Sequence, residues 1–78
     1  MLVIRFSIGC SEKHAKEVLN TLNEYGTQVS REEHYNEKVL SNEREPVIYY
    51  ECLLPYGRIK SLIEEFDNEK YGTVILTY

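Results

Sequence analysis

The chain has 78 residues, 42% hydrophobic and 28% charged, with 13 acidic against 9 basic side chains and a formal charge of −4. A chain of roughly 60–80 residues builds one core and buries only about 60–65% of the surface it exposes when unfolded. The composition excludes full-length disorder, the acidic balance excludes a strongly basic surface that coats nucleic acid, and no run of about 18 apolar residues is present to span a membrane.

Leu2, Ile4, Phe6 and Ile8 alternate with Val3, Arg5 and Ser7, which predicts a first strand with one face in the core. Gly9-Cys10-Ser11 reads as the break after it, with Ser11 as N-cap and Glu12 in the first turn of a helix. Ala15, Val18, Leu19, Leu22 and Tyr25 recur at spacings of three and four and define that amphipathic helix, which Gly26 closes. Residues 27–35 alternate with little apolar content and read as an edge strand. Residues 32–46 are polar and read as a projecting hairpin whose strands turn near Ser41–Glu43.

After Pro46, Val47–Leu54 is the strongest strand pattern in the chain, with Ile48, Tyr50, Cys52 and Leu54 on one face and Val47, Tyr49, Glu51 and Leu53 on the other. Ile59, Leu62, Ile63 and Phe66 predict a second helix over about 57–69, followed by a turn at Lys70-Tyr71-Gly72 and a last strand over 73–78. The order strand, helix, strand, strand, helix, strand implies one α+β domain over 1–78. It is a ferredoxin-like βαββαβ arrangement, a four-stranded antiparallel sheet with two helices on one face and the first and third strands central. This order is similar to that of ferredoxin-like regulatory and ligand-binding modules, a likeness of element order alone.

Cys10 and Cys52 are too few for a disulfide framework, and the opening residues lack the basic start and cleavage pattern of a secretory leader. The expected setting is reducing and cytoplasmic, with two free thiols. Gly9-Cys10-Ser11 resembles the metal-binding turn of small copper-chaperone domains, but such turns carry a second cysteine three positions on, where this chain has Lys13. His14 and His34 have no second ligand at metal spacing, and no phosphate loop, nucleophile elbow or helical metalloprotease motif occurs. The expectation is a protein without enzymatic activity, metal or cofactor.

The face of the sheet without helices would carry Val3, Arg5, Val47, Tyr49 and Leu53. It lacks the stacking aromatics on both central strands and the basic lead that RNA-recognition modules of this fold use. Its apolar strip instead suits a second copy of the chain, as a homodimer, or another protein. Tyr35 and Leu40, set among Glu32, Glu33, Glu37, Glu43 and Glu45, extend this expected surface along the arm. Two further readings stand beside it: an acidic inhibitor that occupies the nucleic-acid site of a larger protein, and a small-anion or effector-binding module. For the latter, Gly57, Arg58 and Lys60 gather backbone N–H groups and two cations at the start of the second helix; long basic stems covering apolar surface are the plain structural alternative.

Overall fold

A computed structural model describes residues 2–38 and 44–78. Strands β1 (Val3–Ser11), β2 (Gln28–Lys38), β3 (Arg44–Pro55) and β4 (Val74–Thr77) form one sheet in the order β2-β3-β1-β4, antiparallel throughout. Helix α1 (Ala15–Glu24) joins β1 to β2 and helix α2 (Ile59–Phe66) joins β3 to β4. This is the ferredoxin-like α+β arrangement, with β1 and β3 central. Phe6, Ile8 and Cys10 of β1 and Ile48, Tyr50, Cys52 and Leu54 of β3 form one buried cluster with Ala15, Val18 and Leu22 of α1 and Leu62 and Phe66 of α2. Both helices therefore cover the same face, and burying each large apolar side chain contributes about 1.5–3 kcal/mol.

β1 does not end at Ile8. It continues through Gly9, Cys10 and Ser11, which pair with Tyr49, Ile48 and Val47 of β3. Gly9 interrupts the hydrophobic alternation without interrupting the ladder. Cys10 thus lies in a strand with 2% of its surface exposed, not in a turn entering α1. The likeness to a metal-binding turn fails on this placement as well as on Lys13. Both thiols are free, and Cys10 pairs with Ile48 while Cys52 pairs with Phe6. The two sit four residues apart along the ladder, about 13 Å at strand rise and beyond disulfide reach.

A 3-10 turn, Glu12–His14, leads into α1; Ser11 precedes it in extended conformation but makes no side-chain capping bond. The end of α1 is a Schellman closure. Gly26 takes φ 76°, its N–H donates to Asn23 O at 3.1 Å, and Thr27 N–H donates to Leu22 O at 2.9 Å. The predicted second helix is broken into a 3-10 turn (Tyr56–Arg58), α2, and another 3-10 turn (Glu69–Tyr71). Asn68 stops it, since its Oδ1 accepts the Lys70 N–H at 3.0 Å and caps the following turn instead of continuing the helix.

β2 is a full strand despite its thin apolar content. It pairs with β3 from Gln28↔Leu53 to Lys38↔Arg44, with an irregularity between Val29 and Arg31. Ser30 is the additional residue there, and its hydroxyl donates to Glu51 O at 3.2 Å. Leu40 and the turn expected near Ser41–Glu43 lie outside the described residues, Glu43 included.

Candidate functional site

The strand registers arrange the helix-free face in rows. Tyr35, Val47 and Ser11 form one; Glu33, Tyr49, Gly9 and Ile75 the next; then Arg31, Glu51, Ser7 and Thr77; then Gln28, Leu53 and Arg5; and finally Pro55 and Val3. The five residues expected on this face from β1 and β3 are brought together, and β2 adds Tyr35. Their exposure differs from expectation in one respect: Val47 is 4% exposed and Tyr49 and Leu53 are half-buried, whereas Val3 is 48% exposed. The expectation of an open Val47 is therefore corrected. Its neighbour in the row, across the ladder, is the large Tyr35 of β2, a strand whose extent the sequence pattern understated.

An aromatic and ionic network organises this half of the face. The Tyr35 and Tyr49 rings meet edge to face, with centroids 5.8 Å apart and planes at 77°. Such pairs contribute about 0.5–1.5 kcal/mol beyond area burial. The Tyr35 hydroxyl donates to the Glu33 carboxylate, which also pairs with the Arg31 guanidinium. Arg31, Glu33 and Tyr35 stand two residues apart on one strand, so strand periodicity alone puts them on one face. The expected surface omits Arg31 and holds Glu33 only among the acids around Tyr35, although that periodicity supplies both. Ile75, 46% exposed beside Gly9, completes the apolar part.

Among the described side chains the charge on this face is balanced, with Arg5 and Arg31 against Glu33 and Glu51, although the whole chain has a formal charge of −4. The opposite face of β2 carries Glu32 opposite Tyr50 and His34 opposite Ile48. His34 Nε2 lies 3.1 Å from the Glu32 carboxylate. Burial, reinforced by the charge and hydrogen bond of Glu32, pushes the Tyr50 hydroxyl up to about 12.

The second group of expected residues is placed differently. Arg58 Nη1 donates to Tyr25 O, at the end of α1, over 2.9 Å. A cation at that carbonyl complements the helix dipole, and an added Cβ at Gly26 would push the guanidinium aside. Gly57 lies in the 3-10 turn and Lys60 is exposed on α2, where it pairs with no carboxylate among the described residues. Among the described residues no group of three or more His, Cys, Asp or Glu could hold a metal ion, and no helix is long and apolar enough to cross a membrane.

The fold is shared with regulatory proteins. The chain superposes on CPII from Thiomonas intermedia K12, bound to ADP, AMP and acetate, with a TM-score of 0.73 at 16% identity, covering 99% of this chain and 88% of that one. The apo form of CPII, described as a nitrogen regulatory PII-like protein, gives 0.65 at 17% identity over 96% and 89% of the two chains. The regulatory subunit of aspartate kinase from Thermus flavus gives 0.55 at 15% identity, covering 97% of this chain and 54% of that one. No family model and no curated protein matches the chain.

Proposed function

We propose that this chain is a non-catalytic regulatory module that self-associates through the helix-free face of its sheet. The charge balance among the described side chains of that face is the observation that carries the reading. A protein with a formal charge of −4 repels its own copy over most of its surface, while a face holding Arg5, Arg31, Glu33 and Glu51 can meet itself across a two-fold axis. Val3, Leu53 and Ile75 supply apolar area around those charges. The fold shared with CPII and with the aspartate kinase regulatory subunit supports a regulatory role of this kind.

Sedimentation equilibrium of the wild type on the order of 100 μM tests it, since a self-associating chain responds to concentration. A species of twice 9.2 kDa is expected, and a single species at 9.2 kDa rejects the homodimer. Val3→Glu and Leu53→Glu each place an unpaired carboxylate in the contact, at a cost of several kcal/mol, and are expected to yield monomers with unchanged circular dichroism.

A second reading rests on the ligands of CPII, which is described bound to ADP, AMP and acetate. Here the module takes a small anionic effector beside Lys60, with Gly57 and Arg58 adjacent. Amide shifts at residues 57–60 on titrating ADP, AMP or phosphate to about 1 mM, an affinity of about 4 kcal/mol, support it, and their absence removes it.

A further inference from the structure

The two edges of the sheet are protected very differently. β2 presents Arg31, Glu32, Glu33 and His34 and carries an irregularity, the usual devices that stop another strand from joining an edge. β4, Val74-Ile75-Leu76-Thr77, is the other edge and has no charge, no proline and no bulge. Its outward backbone groups offer a ladder that nothing in its sequence blocks.

A groove of about 300 Å³ runs alongside this edge between α2 and β4, lined by Ile63, Phe66, Val74 and Leu76, with Glu64 and Asp67 contributed by α2. Both carboxylates belong to exposed residues, and neither pairs with a cation among the described residues. The geometry points to β4 as a docking edge for an extended, basic segment of another protein, which adds a strand to the sheet, sets apolar side chains against Ile63 and Leu76, and sets Lys or Arg on Glu64 and Asp67.

The acids decide the occupant. A second copy paired two-fold along β4, with both helical layers on the same side, brings Glu64 and Asp67 of one α2 towards those of the other, like charge against like. A basic strand meets them with opposite charge, while the ladder itself supplies sequence-independent hydrogen bonds and alternate side chains supply selection. This site is built on the outer backbone edge of β4 and on α2, and of the residues named for the self-association surface it includes only Ile75.

The test uses the full chain and a short blocked peptide whose alternate positions on one face run lysine, valine, valine, lysine with threonine between them, so that both residue types can face α2 together, followed by two-dimensional NMR and amide exchange. The expected result is shifts at residues 73–78 and at Ile63 and Phe66, with β4 amides gaining protection. The same peptide with glutamate in place of lysine is expected to bind about tenfold more weakly, and Glu64→Lys with Asp67→Lys to reverse that preference, as exchange of rim charges should. Equal binding of the two peptides, or shifts confined to Val3, Tyr49 and Leu53, would overturn the assignment. So would β4 amides already protected without peptide and released on dilution, which would give the edge to a second copy. Because Ile63 and Phe66 of α2 lie outside the self-association surface, their shifts are independent of whether Val3→Glu dissociates the protein.

Discussion

Tyr49 occupies the space that a side chain at Gly9 would need. A Cβ built on Gly9 would lie 2.8 Å from Tyr49 Cδ1 and closer still to Cε1, so the ring lies directly over the glycine backbone. Gly9→Val adds a whole isopropyl group into that contact and should destabilise the protein by about 1–3 kcal/mol, although valine is the better strand former. In a Tyr49→Ala background the same change should be near neutral or stabilising. Chemical denaturation of the four proteins measures the coupling; additive effects would mean the ring moves freely aside.

Tyr71 joins the two helical segments through its hydroxyl. It donates to Glu65 Oε1 at 2.6 Å and lies 2.7 Å from Thr21 Oγ1, while its side chain is fully buried. Tyr71→Phe leaves the Thr21 hydroxyl without this partner, and the expected loss is about 1–3 kcal/mol in thermal or denaturant unfolding. The hydroxyl is also the first cause holding the Glu65 carboxyl below its ordinary 4.5, with Lys70 a further one against a desolvation that raises it. The stability linked to Glu65 is complete above pH 4.5 and fades as pH falls through its lower folded value. NMR titration should show the Glu65 carboxyl moving up towards 4.5 in Tyr71→Phe, with the acid limb of the stability profile shallower.

Thr27 follows the closing glycine of α1 and is buried, and its Oγ1 has no hydrogen-bond partner among the described residues. Thr27→Val removes the desolvated hydroxyl at equal volume and is expected to stabilise the fold by about 1 kcal/mol. A loss of stability would show that the hydroxyl is satisfied by water.

The thiols set an alkaline limit. Burial pushes Cys10 from 9.0 up to about 11 and Cys52 from 9.0 up to about 12. Their stabilising contribution is complete below pH 9.0 and is lost as pH rises through those folded values, because the unfolded chain ionises first. Alkylation of the native protein at pH 8 should run roughly 100-fold slower than in denaturant, or slower still through burial. Comparable rates would show that the strands open readily.

The alternation of Phe6 with Ile8, and of Tyr50 with Cys52, made the central strands and their core face legible in the sequence, and the spacing of Val18 and Leu22 did the same for α1. What escaped were features set by distant partners. Gly9 looks like punctuation until Tyr49 is placed over it. Val47 looks exposed until β2 is paired alongside it, and β2 is held by its ladder more than by apolar side chains of its own. Arg58 resembles an anion ligand at the start of a helix because its hydrogen bond reaches back 33 residues to Tyr25. Tyr71 falls in a segment with turn composition, yet its ring closes the core against Phe66, with centroids 4.9 Å apart.

The central position of β1 also governs the order in which the molecule can assemble. β1 is made before the other three strands, but its ladder partners are β3 and β4, with Val3 waiting for Pro55 and Ser7 for Thr77. Among the described strands only β3 and β4 pair with it, so Phe6 and Ile8 have no neighbouring strand until residues 44–77 have been made. Local contacts such as α1 form early, while loop closures spanning most of the chain come last and set the folding rate. Truncation before Arg44 removes both strands that pair with β1, so this sheet cannot form from the preceding residues alone.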